Sequence, residues 1–343
     1  MAEGRGNRPH PQNLQGLLRL AVEASSASEG NPPPEPMSEE RQQWLRSVLA
    51  DMCQGGMDEV TQMKECLSVL RSEGGGGEGE GDGGEKEAAL DLLCELCENM
   101  DNARDLMSLG GLEVCVGACL GAQGAGLRCR GAGLLAVCCQ NHPEVQLHAL
   151  ALGALPTLLT LADTDPSTMV KVKALYAVSC LVREQEAGVR DFLSHDGFSV
   201  LMRGMQAETG SSGAKEEGRE GAKEEDRLRT KSAFLLQSLL TSHPEHRDTL
   251  VSMGMVQQLV SLLRPPRCPF HEHVLGALCC LVNGFPRGMA ACRDPALHLE
   301  ELLNDRARQL KGKEECQEEL EFCEQLLRSC FCPLDPEDNG MDR

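Results

Sequence analysis

Aromatic residues and long hydrophobic runs are scarce in this sequence of 343 residues. Only 3% of the residues are aromatic although 41% are hydrophobic, so the core must consist mainly of Leu, Ala, Val, Met and Cys. That composition favours helices over strands. No apolar run approaches the roughly 20 residues of a membrane span, so we expect a soluble protein without a transmembrane helix.

Positive charge is also in short supply. The chain has 33 Lys and Arg against 53 Asp and Glu, for a net charge of −20. This balance predicts a protein that binds neither nucleic acid nor an anionic membrane. The acidic excess is concentrated in residues 73–87, 208–226 and 298–343, which leaves the rest of the chain near neutral and able to carry local basic patches.

Cysteine, by contrast, is abundant, with 18 residues. The first 30 residues contain no basic stretch followed by an apolar one, as a secretory leader would. Many cysteines occupy apolar positions of helical patterns, including the adjacent pairs Cys138-Cys139 and Cys279-Cys280. We therefore expect reduced cysteines that pack in the core of a cytoplasmic protein.

The strongest pattern is an internal repeat. Segments 127–135, 170–178, 228–236 and 270–278 align without gaps, and their starts are separated by 43, 58 and 42 residues. The long interval contains a polar insertion at 207–227, and removing about fifteen residues restores the period. Turn-like elements at 109–112, 152–155, 195–198 and 253–256 precede the segments. The pattern predicts an all-α fold, a right-handed α-solenoid of armadillo-like repeats with flanking capping helices.

Composition divides the chain into further segments. Residues 1–36 are expected to be a disordered N-terminal segment with a short amphipathic motif at 13–24, which contains Leu14, Leu17 and Leu18. A transient helix without a role is an equal alternative for that motif. The other predicted segments are an N-terminal helical pair at 37–72, an acidic Gly-rich linker at 73–86, repeats at 87–296, capping helices at 297–332 and a flexible tail at 333–343.

The motifs that could carry chemistry are weak. Cys94 and Cys97 form a CxxC without a matching second pair, so packing in a helix is favoured over a metal site. His271 and His273 are two residues apart on a helix and face different directions. His243-Pro-Glu-His246 lies at a helix end, where histidines are more often caps or surface residues. We therefore expect no catalytic residue, metal or cofactor and no direct nucleotide binding.

A surface along the repeats is the better candidate for function, because the third helix of an armadillo repeat lines a concave groove. A basic or potentially basic residue recurs at the fourth position of each aligned segment, and Tyr176 and Phe234 occupy the seventh. These basic residues predict a partner with an acidic surface. The alternative is that their long side chains only cover the groove. For Phe234 a core role is as well supported as an anchoring one. The candidate partner-binding residues are Asn99, Arg130, Asn141, Lys173, Tyr176, Arg183, Glu184, Lys231, Phe234, His273 and Asn283.

The groove differs from that of importin-like armadillo proteins. Those proteins bind extended basic peptides through a repeating Trp at the seventh position and an Asn four residues later. Here the later positions are Val137, Cys180, Ser238 and Cys280, so that ladder is missing. The pattern favours a folded, acidic partner surface.

Several segments identify a family by resemblance. Residues 96–103, 172–188, 196–202 and 253–259 resemble the armadillo-repeat nucleotide exchange factors of cytosolic Hsp70, and the likeness runs from Asn13 to the C-terminus, closely enough to indicate an orthologue. The insertion at 207–227 and the linker depart most from the family pattern.

The resemblance implies a monomeric co-chaperone without catalytic residues. It would clasp one lobe of the Hsp70 ATPase domain in its groove, displace the other lobe and promote ADP release. The matching N-terminal stretch, 13–24, would help to release bound client. A passive armadillo scaffold for another acidic protein is the alternative that repeat physics alone leaves open.

Overall fold

A computed structural model describes residues 58–72, 80–206 and 217–332, which all belong to one unit, Asp58–Arg343. These ranges contain seventeen α-helices and no strand. The first two, α1 and α2, span Glu59–Arg71 and Glu80–Leu96, pack against each other and precede the complete repeats.

Each complete repeat has three helices. The first repeat contains α3 (Met100–Ser108), α4 (Gly111–Val114), which continues into a π-helical turn at Cys115–Cys119, and α5 (Ala125–Cys139). The second contains α6 (Pro143–Ala151), α7 (Ala154–Thr164) and α8 (Thr168–Val182), and the third contains α9 (Glu186–Ser194), α10 (Gly197–Gln206) and α11 (Glu217–Ser242). The fourth contains α12 (Arg247–Ser252), α13 (Met255–Leu262) and α14 (His271–Val282), and the last contains α15 (Pro286–Cys292), α16 (Leu299–Leu310) and α17 (Gln317–Cys330).

The third helices form the spine of the array. Each of α2, α5, α8 and α11 packs on the third helix of the next repeat, and α14 packs on α17. The core between them consists of Leu, Val, Ala and Cys side chains, and most cysteines of the described ranges are buried thiols. A single unit of this kind cannot bury its apolar face alone, so stacking supplies the hydrophobic core. The predicted all-α solenoid is confirmed.

A left-handed turn joins the first and second helices of four repeats. Gly110, Gly153 and Gly254 adopt φ of 74°, 75° and 78°, and Asp196 adopts 55° at the equivalent position of the third repeat. Glycine suits this conformation because it has no Cβ to clash. The turn-like elements identified in the sequence therefore lie where a repeat needs them.

Close helix contacts set the spacing between successive repeats. A Cβ on Gly188 of α9 would lie 2.2 Å from the carbonyl oxygen of Leu181, and a Cβ on Gly288 of α15 would lie 2.1 Å from that of Leu281. Each glycine thus lets the first helix of a repeat approach the backbone at the end of the preceding third helix.

Three predicted boundaries differ from the helices observed. Residues 80–86 belong to α2 rather than to the linker, because packing of α2 against α1 and α5 offsets the low helix propensity of its glycines. The helix α11 begins at Glu217, inside the predicted insertion, where Glu, Lys and Arg are good helix formers. The predicted capping helices at 297–332 are the second and third helices of the last repeat, since α17 packs on α14 as the other third helices do.

Some predictions fall outside the described residues. They are the N-terminal segment with Leu14, Leu17 and Leu18, the N-terminal helical pair before Asp58, and the tail at 333–343.

None of the described helices is by itself long and apolar enough to cross a membrane, and one pair bent by 79°, Pro143–Ala151 and Ala154–Thr164, passes that test by length and composition only.

Candidate partner-binding groove

Five predicted groove residues meet across three successive third helices. The Lys231 Nζ of α11 lies 4.8 Å from the centroid of the Tyr176 ring of α8. Arg183, at the end of α8, places its guanidinium carbon 5.7 Å from the Phe234 centroid, and Phe234 meets the His273 ring of α14 edge to face at 5.3 Å. We call these residues, Tyr176, Arg183, Lys231, Phe234 and His273, the cation–aromatic cluster.

The cluster is accessible rather than part of the core. Phe234 is 44% exposed, which favours the predicted anchoring role over the core role, and Tyr176 is half-buried. Cations over aromatic faces gain from the ring quadrupole, by about 0.5–1 kcal/mol at exposed sites. These contacts restrict the motion of long, flexible cationic side chains.

Two lysines contribute to the positive charge of the groove. Burial lowers the pKa of Lys231, and the like charge of Lys173 lowers it further. Lys173 itself is exposed. Within the described ranges neither ammonium group forms an ion pair, and each raises the cost of charging the other.

Arg130 and His273, which occupy the fourth position in the other two aligned segments, have partners within the structure. The Arg130 guanidinium contacts both carboxylate oxygens of Asp91, at 3.0 and 2.9 Å, and Glu87 at 2.8 Å. These carboxylates belong to α2, the neighbouring third helix, and offset its charge. Burial lowers the pKa of His273, whose Nδ1 lies 3.1 Å from Gln237 Oε1. The positive charge of the groove is therefore centred on Lys173, Arg183 and Lys231.

The predicted residues at helix ends have backbone roles. The Asn99 side chain caps α3 by accepting a hydrogen bond from the Asp101 amide at 3.0 Å. Asn141 and Glu184 adopt φ of 56° and 54°, in equivalent left-handed turns after α5 and α8. The Asn283 carbonyl accepts a 2.7 Å hydrogen bond from Arg247. All four side chains remain exposed at the ends of third helices.

Two cavities of about 320 Å³ each adjoin the cluster. One is lined by Lys231 with Cys268, Pro269 and Phe270, and the other by Phe234 and His273 with residues that the sequence analysis did not select. A larger cavity, of about 740 Å³, opens beside α15 and α17 and shares no residue with the cluster. The missed lining residues of the second cavity are Gln237, Ser238, Thr241, Ser242, Glu272, Glu318 and Phe322.

Helical spacing could have identified part of this missed set. Gln237 and Thr241 follow Phe234 at three and seven residues, so they continue the same face of α11. Glu272 and Glu318 bring negative charge to this end of the groove, where burial and then Glu318 raise the pKa of Glu272. Glu318 and Phe322 come from α17, in the last repeat, which lacks the aligned segment and offered no signal.

The structure also places the cysteines and histidines that the sequence analysis considered. Cys97 is buried and Cys94 is half-buried in the packing between α2 and α5. His271 is fully buried beside Arg306, while His273 faces the groove, so the prediction of different directions is confirmed. His243 and His246 occupy N-cap positions, but neither side chain makes a capping hydrogen bond.

The stacked third helices and their cation–aromatic face define an armadillo-repeat solenoid with a candidate partner-binding groove. A designed armadillo repeat protein superposes with a TM-score of 0.57 at 15% identity, over 78% of this chain and 99% of that one. At this identity the likeness shows the fold alone.

Sequence comparisons give the family. The family model described as SIL1/FES1/HPBP1 C-terminal domain matches residues 102–213, and the one described as nucleotide exchange factor Fes1 matches residues 14–106. The chain is 53% identical to Hsp70-binding protein 1 of Mus musculus, over 98% of this chain and 90% of that protein, and 53% identical to that of Homo sapiens, over 98% and 89%. The chain belongs to the SIL1/FES1/HPBP1 family, and the resemblance seen in its repeats is confirmed.

Proposed function

We propose that this chain is a nucleotide exchange factor and co-chaperone that binds the ATPase domain of Hsp70 in its concave groove and promotes ADP release. Family membership supports the partner, because relatives at 53% identity are named Hsp70-binding protein 1. The observation that carries the site is the cation–aromatic cluster, which places Lys231 over Tyr176 and Arg183 over Phe234 on one accessible face.

The cluster has the chemistry of a binding surface. Tyr, Phe and Arg side chains can bury large areas at the centre of an interface. The unpaired ammonium groups of Lys173 and Lys231 would steer an acidic surface toward them. Because the helices are stacked in a fixed array, the side chains are presented with little conformational entropy left to lose.

Exchange activity then follows from thermodynamic linkage. A partner that binds the ADP-free, opened ATPase domain better than the closed, ADP-bound one must weaken ADP binding by the same factor. A tenfold preference corresponds to about 1.4 kcal/mol. The role requires shape and charge complementarity but no nucleophile, general base or bound metal, so the chain acts as a regulator rather than an enzyme.

The remaining parts of this proposal concern segments and location. The motif at 13–24, with Leu14, Leu17 and Leu18, serves to help release bound client. The chain works as a monomer in the cytoplasm, without nucleic acid, membrane or nucleotide of its own. Its net charge of −20 supports a protein partner over a polyanion.

The test is the release rate of a fluorescent ADP analogue from purified cytosolic Hsp70, with and without this chain. We expect acceleration by the wild type and its loss in Lys231→Glu, which reverses charge in the cluster. Arg190→Glu is the matched control, because Arg190 is an exposed arginine on α9, outside the third helices.

The outcomes separate the two functions. Acceleration that is retained by Arg190→Glu and lost by Lys231→Glu supports exchange through the groove. Binding of the wild type to Hsp70 without any change in ADP release would exclude exchange and favour the passive scaffold. Acceleration by both variants to the same extent would exclude the cluster as the site.

A further inference from the structure

Three potential metal ligands converge where α11 meets α12. In the turn 243–246, His243 Nδ1 lies 3.1 Å from Glu245 Oε1, and His246 Nε2 lies 3.7 Å from the same oxygen. The three ligand atoms all lie within 4.8 Å of one another. The local cause is the 3₁₀ helix Pro244–His246, because 3₁₀ geometry places residues i and i+3 on the same side of the turn.

The equivalent turn of an earlier repeat shows which part of this arrangement the fold requires. His142-Pro143-Glu144 begins α6 as His243-Pro244-Glu245 begins the fourth repeat, and both histidines have φ of −127°. The next residue is Val145 in one turn and His246 in the other. Val145 is fully buried, so the repeat accepts an apolar residue there and its fold does not require a second imidazole.

Neither imidazole has the capping role that its position offers. His243 and His246 stand at the N-caps of the 3₁₀ helix and of α12, yet neither side chain accepts a hydrogen bond from a backbone N–H. Both instead approach one carboxylate oxygen. A cation held by the two ring nitrogens and the carboxylate would use all three groups at once.

The distances suit a zinc ion. Bonds of about 2.0–2.1 Å at tetrahedral angles place neighbouring ligand atoms about 3.3 Å apart. The two distances to Glu245 Oε1, 3.1 and 3.7 Å, lie close to this value, and all three ligand atoms lie within 4.8 Å of one another. We propose that His243, Glu245 and His246 bind Zn²⁺ through two imidazole nitrogens and one carboxylate oxygen, with water as the fourth ligand.

The surroundings leave the site open and hold one ligand in place. The side chains of His243 and His246 are 24% exposed and that of Glu245 is 58% exposed, so water can reach the fourth position. The His246 ring meets the buried Phe198 ring of α10 at 6.3 Å. The nearby positive charge of Arg247 opposes a cation, but the Glu245 carboxylate offsets it and Arg247 is hydrogen-bonded to the Asn283 carbonyl.

The consequence is a link within the solenoid that does not depend on the groove. The ion would join the end of α11 to the start of α12, a helix of six residues, and through His246 to Phe198 on α10. The first helix of the second repeat, α6, runs for nine residues from its proline without such a link. Zinc would therefore stabilise the third and fourth repeats against unfolding.

The test is calorimetric titration of the full, reduced chain with Zn²⁺ near neutral pH, together with its melting temperature. Each variant introduces the residue that another repeat has at the same position. His246→Val introduces the residue type of Val145, and His243→Gln introduces that of Gln185. Both variants are therefore expected to fold. His148→Ala is the control, because His148 pairs with Glu113 at 3.0 Å without a second imidazole. Cobalt absorption spectra without a thiolate band identify nitrogen and oxygen ligands.

We expect one equivalent of Zn²⁺ to bind the wild type and His148→Ala, and to raise their melting temperatures. Affinity should fall by about tenfold or more in His246→Val and His243→Gln, since loss of even an outer-shell partner costs 10–100-fold. Equal stoichiometry and affinity in wild type and His246→Val would overturn the proposal, and so would a thiolate band or no binding at all.

Discussion

Lys231 lies over the ring of Tyr176, with its Nζ 4.8 Å from the ring centroid, and this contact joins two neighbouring third helices of the groove. The Tyr176 hydroxyl also lies 3.2 Å from Gln140 Oε1, at the end of α5. One aromatic side chain thus touches polar groups of the repeats on both sides of its own. A side chain held from both sides is a suitable anchor for a partner, because little rotamer freedom remains to be lost on binding.

Removing this ring should weaken partner binding. We expect Tyr176→Ala to lower the affinity for the Hsp70 ATPase domain by about 2 kcal/mol, or roughly 30-fold in Kd, because buried aromatic anchors account for much of an interface's energy. Titration calorimetry measures the effect. Tyr176→Phe keeps the ring beneath Lys231 and should bind within a few-fold of wild type, and an unchanged Kd in Tyr176→Ala would exclude the anchor.

The buried network at the last repeat should be essential for stability. Arg306 Nη1 lies 2.9 Å from Glu319 Oε1 and 2.7 Å from His271 Nδ1, and Arg267 Nε lies 2.7 Å from Glu319 Oε2. We expect Arg306→Met to cost about 3–5 kcal/mol in the free energy of unfolding, because it leaves a buried carboxylate short of partners. Urea denaturation of this variant tests it.

Arg308 provides the matched control for this network. It lies on the same helix, α16, with a 77% exposed side chain paired to Asp305. Arg308→Met should change the free energy of unfolding by less than about 0.5 kcal/mol. Equal effects of the two substitutions would show that burial of the network does not matter.

His271 should make stability depend on pH. Burial, and then the charge of Arg306, lower the pKa of this histidine from 6.5 to about 4. Between these two pKa values, His271 is therefore protonated in the unfolded chain and neutral in the folded chain. The stability contributed by neutral His271 is fully present above pH 6.5 and is lost as the pH falls toward 4, by up to about 1.4 kcal/mol for each pH unit.

The measurement is the free energy of unfolding between neutral and mildly acidic pH. His271→Gln retains an oxygen that can accept from Arg306 and should flatten the dependence below pH 6.5. A profile of the same slope in His271→Gln would assign the dependence to other groups.

Substitution by alanine should have opposite effects on stability at two glycines. Gly188→Ala places a Cβ 2.2 Å from the Leu181 carbonyl oxygen, so we expect it to destabilise the fold by about 1–3 kcal/mol. Gly133, within α5, has no atom within 4 Å of its Cβ position. Gly133→Ala should stabilise the fold by about 0.5–1 kcal/mol, since alanine is the better helix former. Thermal and urea unfolding decide between these signs.

Much of the fold was predictable because its signals are local and repeated. The spacing of segments 127–135, 170–178, 228–236 and 270–278 identified the third helices of four repeats, and Gly110, Gly153 and Gly254 marked turns that need positive φ. The same alignment placed Lys173, Tyr176, Lys231 and Phe234 on one face. The sequence pattern did not predict the last repeat, because its third helix, α17, lacks the aligned segment and is defined by its packing on α14.

The sequence by itself therefore determined the helices, their period and the face that each presents, because these depend on neighbours within about one turn. Only the tertiary structure decided which charges meet. Arg130 forms ion pairs with Asp91 and Glu87 of the preceding third helix. Lys231 instead lies over the Tyr176 ring and forms no ion pair with a carboxylate among the described residues. Such partners lie some 40 to 55 residues apart in the chain, and stacking of repeats brings them together, which periodicity cannot encode.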